Sequence, residues 1–146
     1  ATKAAVRRIK ARRAVSWEAT RRPSQVSPPG DWDIWLLLAG RGFGKTRTAT
    51  EWVRQKATEG PAYRIALVGA VAEDTRRILV EGESGILEVF RRAGVELHYA
   101  KSSREILVPS TGTRLLMYSA DEPDRLRGHQ FHYAAVDELA AWRYPD

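Results

Sequence analysis

An α/β fold, with a mainly parallel sheet flanked by helices and one antiparallel hairpin, is what this sequence predicts, and three observations predict it. Trp32 to Ala39 (WDIWLLLA) is a short, continuous apolar run of the kind found in parallel strands buried on both faces. It runs straight into glycines and then into helical spacing, and a second strand-then-helix order follows from Tyr63. Finally, Arg104 to Val108 and Thr113 to Tyr118 flank a turn at Pro109 to Gly112, which predicts a hairpin.

The elements follow in order. Residues 1–20 have helical propensity, with Val6 and Ile9 three apart, but little apolar surface to anchor a helix. Residues 1–22 therefore read as a basic arm or lead-in helix, or else as a basic element that touches DNA or a neighbouring subunit. The domain proper is expected over 23–146, after the break from Pro23 through Pro28, Pro29 and Gly30. After the first strand, Ala49, Trp52, Val53 and Ala57 space a helix over Thr46 to Thr58, stopped by Gly60 and Pro61. Tyr63 to Val71 predicts a second buried strand, and Glu73 to Val80 a helix with Ile78 and Leu79 inward. A short helix over 84–93, the hairpin, a charged loop over Asp121 to Gly128 and a strand over His132 to Asp137 complete the reading.

Composition narrows the class. At 146 residues the chain fits one domain, and 43% hydrophobic with 29% charged residues suits a folded globular protein. No apolar run approaches the roughly 20 residues that span a bilayer, and basic residues interrupt the first apolar positions, so no membrane segment or signal peptide is expected. Without cysteine there is no disulfide or thiolate metal site. The net charge of +6 is local: the first 22 residues carry eight basic side chains against Glu18 alone, a net +7 that leaves about −1 for the rest. Bulk electrostatics of the domain thus make no case for nucleic acid.

The strongest motif is Ala39-Gly40-Arg41-Gly42-Phe43-Gly44-Lys45-Thr46, a phosphate-binding loop with alanine in place of the first glycine. Leaving a strand and opening a helix, it would surround the β-phosphate of ATP with backbone N–H groups, from Gly40 through Thr46. Lys45 would bridge β- and γ-phosphates and the Thr46 hydroxyl would bind Mg²⁺. A dinucleotide fingerprint is excluded, since its third glycine would fall on Lys45. Asp137 and Glu138, ending the last strand, supply an acid to hold Mg²⁺ and one to orient and deprotonate water. Arg41 is either a solvent-facing arginine or a guanidinium beside the γ-phosphate, where it would stabilise transition-state charge. Gln25, 20 residues before Lys45, could offer a donor and an acceptor to adenine.

Other polar residues carry less. His98, His129 and His132 lack the company of a metal site, and Asp121, Glu122 and Asp124 stand beside Arg125 and Arg127 as an ion-paired loop. The five tryptophans are first of all packing residues.

Taken together, RPSQ, PPGDWDIWLLLAGRGFGKTRTATEW, RIALVGAVAEDTRR and SADEPDRLRGHQFHYAAVDELAAWRYPD resemble the large terminase subunits of tailed phages and gene-transfer agents, over Arg22 to Asp146. The resemblance implies a P-loop fold of the ASCE type and an Mg²⁺-dependent ATPase that drives double-stranded DNA into a prohead. It implies that Gln25 contacts adenine, Arg41 acts in cis on the γ-phosphate, and Asp137 and Glu138 serve Mg²⁺ and water. An arginine from the next subunit of a ring is also implied, with Arg125 and Arg127 the first candidates and Arg91, Arg92 and Arg104 behind them. The implied partners are DNA, the portal protein, the small terminase subunit and further copies, in the cytoplasm of a bacterial host. The family's coupling motif and nuclease domain have no room in 146 residues, so an N-terminal portion without DNA cutting is expected. Three other readings stay open: a helicase-like ATPase, a module that holds ATP without turning it over, and a small-molecule kinase, for which no acceptor site or lid is visible.

Overall fold

The computed structural model describes residues 16–143, and the chain divides into two units, Ala1–Gly40 and Arg41–Asp146. Most of the expected basic arm, residues 1–15, lies outside the described residues. In the first unit, Ser16 caps a single helical turn, Trp17–Thr20, its hydroxyl accepting the Ala19 N–H at 3.2 Å. A 3₁₀ turn, Pro23–Gln25, follows, with proline at its first position where no N–H is needed.

The expected strand at Trp32 to Ala39 is not formed. The run joins no ladder, and Ile34, Leu36 and Leu38 are 84%, 62% and 85% exposed. Apolar continuity measures the gain available from burial, but a parallel strand also needs neighbours for its N–H and C=O groups. Among the described residues this segment forms no strand. Its exposure instead alternates, with Trp35, Leu37 and Ala39 half-buried, and Trp32 sets its ring edge-on to Trp35.

The second unit is built on a five-stranded sheet of order β2-β3-β4-β1-β5, with β1 at Arg64–Gly69, β2 at His98–Ala100, β3 at Glu105–Val108, β4 at Thr113–Ser119 and β5 at Tyr133–Val136. β1 pairs in parallel with β4 and β5, while β3 pairs antiparallel with both β2 and β4. The sheet is thus mixed and mostly parallel in direction. β1 sits between two strands and is buried at five successive positions, as its unbroken IALVG predicts. The β3–β4 hairpin falls where expected. β2 was not expected: three residues with only Tyr99 half-buried are too few to show a period of two.

Helices cover one face. Val53 and Ala57 of the Lys45–Glu59 helix, Leu79 and Val80, and Ile86, Val89 and Phe90 of the Ile86–Ala93 helix meet Ile65, Leu67, Ile106, Leu115 and Met117 of the strands. On the opposite face Ala66, Val68 and Tyr118 are covered by Leu126, which ends the 3₁₀ turn Pro123–Leu126, and by Phe131 and Trp142.

The helix after β1 departs from its expected phase. It starts as a turn, Ala72–Asp74, and continues as a π-helix, Thr75–Val80. The wider turn aligns Thr75 with Leu79 and Val80 instead of Ile78, so Ile78 is exposed and not inward. Thr75 is the clasp. Its buried hydroxyl accepts the Gly69 N–H at 3.0 Å and lies 2.9 Å from the Tyr118 carbonyl, to which it donates. A side chain at Gly69 would stand 2.6 Å from that hydroxyl and 3.2 Å from the Thr75 backbone, so glycine is required by close approach. Thr75→Val should lower the unfolding free energy by roughly 1–3 kcal/mol, because it strands a buried donor and weakens a buried acceptor. Thr75→Ser should lose much less in urea unfolding; equal losses in the two variants would show that the hydroxyl is not the clasp.

Candidate active site

The site forms at the carboxyl end of the sheet, where ligands of open α/β folds are commonly bound. Gly42 and Gly44 both adopt left-handed backbone (φ 77° and 88°), which lets the turn reverse into the helix that Lys45 opens. Gly44 stands at the N-cap position and no side chain caps the helix. The first-turn N–H groups have no intrahelical acceptor, and the helix dipole makes that end positive. Phe43, Lys45 and Thr46 are half-buried, and Arg41 is exposed.

Asp137 is held from several directions. Its N–H donates to the Val68 carbonyl at 3.0 Å, which extends the β1–β5 ladder by one residue. One carboxylate oxygen accepts the Glu138 N–H at 3.0 Å and the other accepts the Thr46 hydroxyl at 3.1 Å. The Trp142 indole N–H donates to the Asp137 carbonyl at 3.2 Å. Residues 91 positions apart in sequence are thereby joined at one point, the start of the helix against the end of a strand. Glu138 follows with φ 52°, a left-handed conformation that costs a non-glycine residue about 1 kcal/mol and gathers at functional sites.

Asp137 and Glu138 line a cleft of about 40 Å³ with Gly69, Ala70, Asp74, Ile78, Leu79 and Ala141. Asp74 and Trp142 are members of this site that the sequence did not reveal. Asp74 reads there as one more polar residue of a helix, and Trp142 as a core aromatic. A larger cavity, about 120 Å³, lies apart from the carboxylates, between Glu73, Arg76, Lys101, Arg104 and Tyr118. The chemistry, and not the volume, locates the site.

Two expected members, Gln25 and Gly40, belong to the first unit. Gln25 is buried, and its side-chain carbonyl accepts the Arg22 N–H at 2.9 Å. The loop over 121–128 is ion-paired as its composition predicts: Arg125 meets Glu122 at 3.0 Å and Arg127 meets Asp124 at 3.1 Å. Arg104 reaches Glu122 at 3.6 Å, and Arg91 and Arg92 are both engaged by Glu88. Those two arginines hold the Glu88 carboxyl down at about 2. His132 accepts the Arg64 N–H through Nδ1 at 3.0 Å, and His98 lies 3.2 Å from Glu96. Among the described residues no three His, Asp or Glu side chains form a metal cage of their own. A pair of oxygens such as Thr46 Oγ and Asp137 Oδ2 suits Mg²⁺, which takes one or two protein oxygens and completes its shell with water and phosphate. No helix of the described residues is long and apolar enough to cross a membrane.

Residues 36–146 match the family model described as terminase large subunit, T4likevirus-type, N-terminal. No curated protein matches the chain. Among solved structures, the fold is similar to the large terminase ATPase domain of Thermus phage P74-26, with a TM-score of 0.56 and 21% identity over 70% of this chain. The chain spans 46% of that domain's length.

Proposed function

The chain belongs to the terminase large subunit family, and from that premise we propose that it binds and hydrolyses MgATP to drive double-stranded DNA into a viral prohead. The observation that carries this reading is the Thr46–Asp137 hydrogen bond, which unites the helix-opening hydroxyl and the strand-ending carboxylate at one point. In this reading the fold is a P-loop ATPase of the ASCE type.

Each residue then has a task. Backbone N–H groups from Arg41 to Thr46 surround the phosphates, and the Lys45 ammonium neutralises the β- and γ-oxygens between which charge moves on cleavage. Thr46 and Asp137 would hold Mg²⁺, which when bound would supply charge neutralisation for the phosphate oxygens. Glu138 accepts a proton from the attacking water as the oxygen–phosphorus bond forms and the bond to the ADP oxygen breaks. Arg41, exposed in the loop, places its guanidinium on the γ-phosphate of its own subunit.

Arg127 is the arginine given to the neighbouring subunit. Its side chain is 85% exposed, against 54% for Arg125, and its partner Asp124 is equally open. An ion pair so exposed is worth about 0–1 kcal/mol and is readily exchanged for a phosphate. Arg125 instead shares Glu122 with Arg104. The chain then works as the ATPase portion of a longer subunit, in a ring of copies on the portal protein. The small terminase subunit delivers DNA to it, in the cytoplasm of the bacterial host.

Nucleotide binding by calorimetry and steady-state phosphate release, with Mg²⁺ and with EDTA, test this. Saturable ATP binding is expected, together with phosphate release that EDTA abolishes. ATP held without turnover would select the non-hydrolysing module. Turnover in the full-length subunit that does not respond to portal-bearing proheads would favour a helicase-like ATPase.

A further inference from the structure

The segment between β4 and β5 is charged and exposed, carries a 3₁₀ turn at Pro123–Leu126 with Arg127 directly after it, and has an internal anchor. Across residues 121–130 every residue is exposed except Leu126. Leu126 packs against Ala66, Val68 and Tyr118 on the face of the sheet opposite the Lys45–Glu59 and Ile86–Ala93 helices. The loop's two stems are pinned to each other as well. Tyr118, buried near the end of β4, meets Phe131, just before β5, edge to face with ring centroids 5.4 Å apart, and the His129 ring lies 6.0 Å from Tyr118. Between anchor and stem, Gly128 turns the chain with φ 77°. Arg127 sits next to the one inward residue and next to the turn, and its own side chain points to solvent.

We infer that Tyr118, Leu126 and Phe131 form an apolar mount that fixes the aim of Arg127, and that Leu126 is the positioning residue through which one subunit presents this guanidinium to its neighbour's ATP. The inference rests on the trans-arginine reading above. A free loop of this length would spread Arg127 over many directions. A half-buried side chain packed on the sheet one position away leaves it few, and an arginine acting on a γ-phosphate tolerates little misplacement. The aromatic contact of the stems adds to this, since edge-to-face pairs favour one geometry beyond simple burial.

The test uses the full-length subunit assembled on portal-bearing proheads, with ATPase rates measured against ATP concentration. Arg127→Ala should lower kcat by about a hundredfold or more. Leu126→Ala should lower kcat on the order of 10–100-fold with KM for ATP unchanged, and Leu126→Met should restore most of it. Gly128→Ala, which meets no atom within 4 Å and disturbs only the left-handed turn, should lower kcat in the same way without a folding defect. Mixing decides between positioning and general damage. Leu126→Ala subunits retain their own Glu138, so adding Glu138→Gln subunits, which carry an intact Arg127 loop, should restore turnover above either parent. The same mixture with Arg127→Ala should also recover. Full activity of Leu126→Ala, or a loss that Glu138→Gln subunits rescue for Arg127→Ala but not for Leu126→Ala, would overturn the mount. Full activity of Arg127→Ala would instead overturn the trans-arginine reading itself.

Discussion

Lys45→Ala is expected to abolish measurable ATP binding by this chain. Lys45 opens the Lys45–Glu59 helix directly after the left-handed Gly44, at the end where backbone N–H groups and the helix dipole favour an anion. Removing the ammonium takes away charge-assisted hydrogen bonds to phosphate oxygens, worth roughly 1.5–3 kcal/mol each. With two such bonds lost, binding should weaken by roughly a hundredfold or more. The side chain is only half-buried and packs no part of the core, so the fold should survive, as a urea denaturation curve with unchanged midpoint would show. Calorimetric ATP affinity equal to wild type would remove the phosphate-loop assignment, and with it the role of Thr46.

Glu138→Gln should separate binding from chemistry. The amide keeps the size of the carboxylate but takes up no proton from water, so phosphate release should fall about 10²–10⁴-fold while ATP affinity stays within a few fold. Glu138 is exposed, and the hydrogen bond that ties it to Asp137 runs through its backbone N–H, so the substitution leaves that geometry alone. Its left-handed backbone is retained too, since glutamine meets the same steric cost there as glutamate. Wild-type turnover in Glu138→Gln would assign the proton transfer elsewhere, and Asp74, on the wall of the same cleft, would be the next carboxylate to replace. A parallel loss of binding would mean that Glu138 holds nucleotide and does not activate water.

The two halves of the site were legible to different degrees. Gly42, Gly44, Lys45 and Thr46 are contiguous, so their chemistry is written in one short stretch: glycines where the backbone must turn left-handed, then a cation and a hydroxyl at a helix start. Asp137 and Glu138 are an ordinary acidic pair when met alone. Their meaning comes from Thr46 at 3.1 Å, a contact across 91 residues that no local pattern encodes. Trp142 and Asp74 stayed hidden for the same reason.

The helices and hairpin were legible because their signals are local. Periodic apolar residues, glycine stops and a Pro-to-Gly turn act over one or two turns of chain, and the Lys45–Glu59 helix and the β3–β4 hairpin fall within a residue or two of expectation. Trp32 to Ala39 shows the limit. Its apolar run speaks for burial, but a strand is defined by a backbone ladder as well as by apolar side chains, and the described residues form no strand there. Ile78 marks the same limit inside a helix, where a π turn shifted the inward face by one position.

By itself, then, the sequence determined the α/β class, the positions of helices and turns, and the residue types available for nucleotide chemistry, because these depend on propensity and spacing within a few residues. Only the tertiary structure decided the strand order, the meeting of Thr46 with Asp137, the clasp at Thr75 and the packing of Leu126 and Phe131 on the sheet. Those depend on which distant segments pay the entropy of coming together, and that is settled by the packing of the whole unit against water.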